Sequence, residues 1–454
     1  MDHTPPTPPV HSEPSKITPT SKAQRFGPVD TLRGFALLGI LVPNIVVFAW
    51  PMMAMTDYTV MGDTAANKLG YTITATAFTG KFMFLFALLF GSGVIMYARK
   101  FDSRPGKLLC KRCRYTLTGL PEDSPCPECN CDERIDRKPK LSEGAGLWYF
   151  RCGLLLAFGL LHAYGLWFGD ILTFYAISGL TLLWWIRRLD PKIQFWGGLG
   201  LYYLGSVVMI GFSALVYWAI STGNMEVHEI SADPVTEIVG YTGTYFEAFK
   251  TRFLTVLVMQ FMFIPLMLPM LWGIMSMGMG LTRMGILTGE RSLGFYVKAA
   301  IVCLTLGIPM TAVGFMFIYP TFDLVPGFIW QSFAQPLGIP LALGYGAVVI
   351  ALSKWAPAKI ITTPLAAVGR MALTNYFLQT ILCTTFFYGY GFGKFATIEY
   401  PQLWLVVFTV WTINIIFSML WLRVFSMGPF EWLWRVMTYR QLVPIVRQSA
   451  LSDA

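Results

Sequence analysis

Four cysteines stand in two pairs, Cys110-Lys111-Arg112-Cys113 and Cys126-Pro127-Glu128-Cys129, with twelve residues between the pairs. Each pair offers two thiolates at a spacing that wraps one side of a tetrahedral metal ion. The surrounding stretch, Arg99 to Gly146, is polar and strongly basic. With so little apolar content it needs the metal in order to fold. The expectation is a zinc ribbon over residues 108–132, with Zn²⁺ held by Cys110, Cys113, Cys126 and Cys129. Four thiolates leave no open coordination position, so the metal is structural. Cys131 is a spare thiol or a competing ligand. The ribbon either staples a loop or offers a docking surface to a cytosolic protein partner.

The second group of chemical residues lies in apolar surroundings. His162 is the only histidine inside a predicted span, and Asp170 follows it across a tight turn, Leu166-Trp167-Phe168-Gly169. A histidine with a carboxylate at hand is a base with its orienter. A structural histidine beside a helix cap is the alternative. Arg33 and Asn44 are eleven residues apart, as are Arg151 and His162. That spacing is close to three helical turns, so each pair shares a helix face. Asn375 and Gln379 are four apart and also share a face. Arg33, Arg151 and Arg370 are placed at the inner lips of their helices. Arginine matches phosphate with a planar fork of donors. The alternative is that these arginines only mark the cytosolic side. Polar groups deep in a membrane face partners or wet cavities, so Asn44, His162, Asn375 and Gln379 are expected to converge on one hollow.

The elements that must hold these groups follow from composition. Hydrophobic residues make up 55% of the 454 and charged residues 13%, about half the charge of a soluble domain. Mean hydropathy is +0.55. The fold class is therefore all-α, a polytopic membrane helical bundle of about ten transmembrane helices. The expected spans are about 33–50, 80–98, 148–167, 170–187, 195–220, 253–281, 295–318, 331–352, 370–391 and 402–424. Residues 1–27 read as a disordered cytosolic tail, 28–98 and 147–440 as the two parts of the membrane domain, 99–146 as the cytosolic loop, and 441–454 as a second tail.

An even number of spans puts both termini on one side. Of the 34 Lys and Arg, all but Lys68, Lys81, Lys250, Arg252 and Lys394 then fall on that side. The positive-inside rule makes it the cytosol, in a bacterial-type inner (plasma) membrane. The net charge of +9 thus reports topology in a lipid bilayer, and no nucleic-acid partner is expected.

Several features are weighed and set aside. Gly91 and Gly93 permit close helix contact rather than phosphate binding. Lys81 is expected to snorkel outward, with a position in an external cavity as the alternative. His228, among Glu226, Glu229 and Asp233, lacks metal-ligand spacing and reads as a solvated loop. Tyr241 to Arg252 reads as an amphipathic helix leading into a sixth span that Pro265 and Pro269 break.

Four segments carry a family resemblance. They are Asp30-Thr31-Leu32-Arg33-Gly34 with Gly39-Ile40-Leu41 and Asn44; Leu161-His162 with Gly169-Asp170-Ile171-Leu172; Gly369-Arg370-Met371-Ala372-Leu373-Thr374-Asn375-Tyr376; and Gly428-Pro429-Phe430-Glu431-Trp432-Leu433-Trp434-Arg435. In this order they resemble the bacterial YeiB-like family, a domain of unknown function (number 418), over residues 28–98 and 147–440. The zinc ribbon is an insertion the family pattern lacks. The family is related to transmembrane acyltransferases such as heparan-alpha-glucosaminide N-acetyltransferase. The resemblance implies an acyl-CoA donor in the cytosol and a sugar-like or lipid-linked acceptor at or across the membrane. It implies that Arg33 and Arg370 hold the CoA phosphates and that His162 is the base, oriented by Asp170. Asn44 and Asn375 would polarise the thioester carbonyl. A broader acyltransferase family has Arg-x10-His on its first span, where this chain has Asn44; Arg151 and His162 repeat that spacing on the third. A transporter or flippase of a small polar or lipid-linked solute is the rival reading. A membrane scaffold built around the ribbon is the third.

Overall fold

The computed structural model describes residues 27–55, 57–102, 107–113, 115, 117, 124–137, 140–224, 233–318 and 334–447. Residues 1–26 and 448–454, parts of the expected tails 1–27 and 441–454, and the loop of Glu226, His228 and Glu229 lie outside the described residues, whereas 441–447 are described and Val446 forms a β-bridge with Phe425.

Long apolar runs give long helices. In chain order these are α1 Gly27–Ala49, α2 Ala65–Ile73, α3 Lys81–Asp102, α4 Ala145–Gly165, α5 Leu172–Ile186, α6 Pro191–Ser221, α7 Pro234–Thr242, α8 Tyr245–Arg283, α9 Leu293–Ile318 and α10 Ala334–Lys354. They are followed by α11 Lys359–Arg370, α12 Ala372–Phe387, α13 Tyr400–Val424 and α14 Pro429–Tyr439. Among the described residues, eight helices are long and apolar enough to cross a membrane, with α2 and α3 running together as one. The other two expected spans appear as the shorter α5 and α12. The first begins two residues late because Asp170 stands outside the helix and accepts from the Thr173 amide (2.7 Å). The second is cut at Met371, where α11 ends and α12 begins.

Two expectations about α8 change. The helix runs unbroken through Pro265 and Pro269, and it starts at Tyr245 rather than Tyr241. Thr244 and Glu247 set that start with a reciprocal capping box, which satisfies two otherwise free amides. Lys81 does not snorkel. It is 5% exposed, and its Nζ donates to the Ala75 carbonyl at 3.1 Å, in a π-turn over Thr74–Phe78. It lines a cavity of about 20 Å³, room for one water, with Gln335, Gly338, Tyr202 and Met270.

Two of the places where helices meet at backbone distance bear on the site and on the Gly91/Gly93 expectation. Gly34 of α1 lies against Leu365 and Gly369 of α11, and Gly369 lies against Asp30. Gly91 of α3 lies against Met275, and Gly278 of α8 lies against Leu88. Gly93 meets nothing, so only one glycine of that pair makes a contact.

A Cβ on Gly369 would strike the Asp30 carbonyl, which cannot rotate away. Gly369→Ala is expected to cost roughly 1–3 kcal/mol, read as a lower thermal midpoint in detergent. Gly93→Ala should leave the midpoint unchanged; equal midpoints for the two variants would remove the crossing's importance.

Candidate functional site

The cysteine loop folds around its four thiols. Strand β1 Lys107–Cys110 pairs antiparallel with β2 Arg134–Arg137, and Cys110 faces Arg134 across the ladder. Each Cys-x-x-Cys closes a turn, the second passing through Asn130 in the left-handed region (φ 56°). The sulfurs of Cys110, Cys113, Cys126 and Cys129 all lie within 4.8 Å of one another. Cys110 and Cys129 approach to 3.3 Å, and Cys113 and Cys126 to 3.4 Å. A tetrahedral thiolate site has edges of about 3.8 Å, so the four fit one metal ion. The backbone amides of Cys113 and Arg112 favour the Cys110 thiolate and pull its pKa down to about 6. Burial and the neighbouring Cys110 sulfur push Cys129 up to about 12. A cation at the centre would relieve that crowding of sulfurs. Cys131 stands outside the four.

His162, on the last turn of α4, is wholly buried. Its Nδ1 lies 3.1 Å from Asp170 Oδ1, an ion-pair distance, although the angle falls short of a hydrogen bond. Its Nε2 lies 2.8 Å from Thr380 Oγ1 on α12. The Tyr376 ring packs 4.6 Å from the imidazole, and the Tyr376 hydroxyl donates to Asp170 Oδ1 at 3.5 Å. Trp167, from the turn between α4 and α5, closes another side and stacks on Phe48 of α1. Asp170 thus stands beside the imidazole and also accepts from an amide in the first turn of α5.

Asn375 and Gln379 share a face of α12, as expected, but not the face that meets His162. Asn375 Nδ2 donates to the Val368 carbonyl (3.2 Å) and to Ser418 Oγ on α13 (2.7 Å). Gln379 Nε2 reaches the Leu37 carbonyl of α1 at 3.5 Å. One residue along a helix turns a side chain by about 100°, so the 375/379 stripe faces α1 and α13 while the 376/380 stripe faces α4. Asn414, one turn from Ser418, is wholly buried with neither amide atom bonded. Asn44 is half-buried on α1 and hydrogen-bonds neither His162 nor Asn375 among the described residues. The polar groups therefore form adjoining clusters rather than one shared hollow.

The three arginines part company. Arg33 and Arg370 each adjoin a glycine of the α1–α11 crossing, so they flank one contact. Arg33 Nη1 pairs with Asp30 (3.0 Å), and Arg370 Nη2 donates to the Ser426 carbonyl (3.1 Å). Arg151 is sandwiched between the rings of Tyr97 (4.9 Å) and Trp434 (4.2 Å). That packing holds α14 against α3 and α4 and leaves Arg151 poorly placed to meet a phosphate.

Sequence reasoning missed Tyr376, Thr380, Asn414 and Glu431. Tyr376 and Thr380 follow directly on Asn375 and Gln379, so a doubled polar stripe was visible. Glu431 is half-buried on α14 and accepts from the amides of Leu373 (2.6 Å) and Thr374 (3.2 Å) and from Thr374 Oγ1 (2.6 Å). Burial raises its pKa, against the pull of those hydrogen bonds.

Fold and site together define a multispanning helical membrane protein with a buried His–Asp–Thr cluster and a four-cysteine cluster that could hold a metal ion. Residues 281–441 match the family described as Protein of unknown function (DUF418). The chain is 28% identical to uncharacterized protein YeiB of Escherichia coli (strain K12), over 93% of this chain and 98% of that one. It is also 28% identical to uncharacterized protein YxaH of Bacillus subtilis (strain 168), over 96% of this chain and 99% of that one. The likeness to these two relatives thus runs along nearly the whole chain, and the DUF418 match covers its C-terminal part. No solved structure matches it.

A strong chelator is expected to strip about one metal ion per chain and to expose four additional thiols to a colorimetric reagent. The helical signal of the bundle should persist. Cys113→Ser should lose the metal likewise; thiols that react fully before chelation would exclude a bound ion.

Proposed function

We propose that this chain is an acyltransferase of the bacterial plasma membrane, with both termini cytosolic. It takes an acyl group from cytosolic acyl-CoA and gives it to a hydroxyl or amine on a sugar-like or lipid-linked acceptor. The carrying observation is the buried line Asp170–His162–Thr380, with separations of 3.1 and 2.8 Å. A carboxylate on Nδ1 favours the tautomer protonated there and frees the Nε2 lone pair to act as base. Thr380 Oγ1 lies on that lone pair and marks where an acceptor hydroxyl would sit.

In this reading, the acceptor oxygen or nitrogen bonds to the thioester carbonyl carbon and its proton passes to His162 Nε2. The carbon–sulfur bond then breaks, and the CoA thiolate leaves with the proton that His162 returns. Arg33 and Arg370 receive the CoA phosphates at the α1–α11 crossing. The Asn375 amide hydrogens are committed to Val368 and Ser418 and would have to leave them to serve a developing oxyanion. The ion in the cysteine cluster is Zn²⁺, and its role is structural.

Purified chain mixed with acetyl-CoA and candidate glycan acceptors should release CoA thiol. His162→Ala should lower the rate about 10²- to 10⁴-fold, and Asp170→Asn should lower it less. Thr380→Val should retain most turnover, because the acceptor brings its own hydroxyl. Equal rates for wild type and His162→Ala would sink the assignment.

A further inference from the structure

A second buried polar cluster lies at the other end of the bundle from the cysteines, and the proposed transfer does not use it. Arg252 of α8 is fully enclosed. Its Nε donates to the Tyr164 carbonyl (2.9 Å) and its Nη2 to the Gly165 carbonyl (2.9 Å), while Nη1 is buried with no partner. No carboxylate pairs with it among the described residues.

Two hydroxyls in the same region are equally unmet. Tyr241, on α7, and Tyr388, just past α12, stack at 4.6 Å, and neither OH has a partner. The backbone locks them together, since the Gly389 amide donates to the Tyr241 carbonyl at 2.8 Å. Glu237, one turn before Tyr241, accepts from the Met52 amide through Oε2 (2.8 Å), and its Oε1 is buried and unbonded. The charges of Arg252 and Glu237 both act on the two tyrosyl hydroxyls. A buried, unneutralised guanidinium is costly to keep, and each unmet donor adds to the cost.

We propose that Arg252, Tyr241, Tyr388 and protonated Glu237 form a binding site for one oxyanion group, either a free carboxylate-, phosphate- or sulfate-type ion or the headgroup of an anionic lipid. The set then consists wholly of donors. Burial, with the nearby Asp233 carboxylate, raises Glu237 to about 7, against the pull of the Met52 amide. The groups facing it are Asp233 and Tyr241 on its own helix, the Met52 amide, Tyr388 and, through the tyrosines, Arg252. Above its pKa, Glu237 carries a negative charge that repels the anion, so binding takes up a proton and weakens as pH rises.

The test uses the full chain in uncharged detergent with sulfate, whose charge is constant between about pH 6 and about pH 8. The thermal midpoint is followed as sulfate is added. Sulfate also stabilises proteins by exclusion, so the reference is Tyr388→Phe. Wild type should bind about tenfold more tightly at the lower pH. Tyr388→Phe and Arg252→Lys should weaken binding by about tenfold or more. Glu237→Gln should bind alike at both pH values. If sulfate is inert but phosphatidylglycerol in nanodiscs stabilises wild type more than Tyr388→Phe, with phosphatidylcholine neutral, the oxyanion is a lipid headgroup. If neither probe separates wild type from Tyr388→Phe and Arg252→Lys, the proposal fails. Because CoA release is not measured, that failure would be distinguishable from failure of the acyltransferase reading.

Discussion

A helix that starts inside a bundle leaves its first amides with nothing to bond, and α12 starts there. Glu431 removes the difficulty by accepting from Leu373 and Thr374. A carboxylate at this end also suits the positive pole of the helix. With its start fixed, α12 can present two polar stripes at once, Asn375/Gln379 to α1 and α13 and Tyr376/Thr380 to α4. Phe430, beside Glu431, stacks on Phe377 at 4.4 Å, and Trp434 of the same helix covers Arg151. The Gly428–Arg435 segment is thus the part that positions α12, at its N-terminal end, against the histidine helix.

The local signals in the sequence carried far. Apolar runs longer than a bilayer is thick give the eight long helices, because length and hydropathy are properties of one segment. Cysteine spacing gives the metal ligands, because each knuckle closes within four residues. His162 and Asp170 were legible as a pair for a similar reason: a tight turn joins the elements that carry them, so nearness in sequence becomes nearness in space.

What failed to show depends on distant parts of the chain. Thr380 reaches His162 across 218 residues, and Glu431 reaches Leu373 across 58. No periodicity within either segment announces such a pairing. The break at Met371 has no glycine or proline at the joint itself, so 370–391 read as one span. Lys81 misled because snorkelling is a rule about the nearest water, whereas a π-turn supplied a carbonyl closer at hand. Arg151 misled in the opposite way. It was read as an inner-lip arginine facing phosphate, but two aromatic rings lie over its guanidinium.

The two arginine environments argue for a division between the ends of the bundle. At the α1–α11 crossing, Arg33 is half-exposed and has Asp30 as a counter-charge. A pair of that kind can open to a phosphate at small cost, because water already screens it. Arg252 is enclosed, and its only bonds are to neutral carbonyls. Among the described residues no carboxylate pairs with it directly. The first arginine has a counter-charge that it could exchange, and the second has none among the described residues. Between them lies the His162 cluster, where the Asp170 carboxylate accepts from the Thr173 amide and the Tyr376 hydroxyl and faces the ring at 3.1 Å, so that a positive charge forming on the imidazole would be stabilised there.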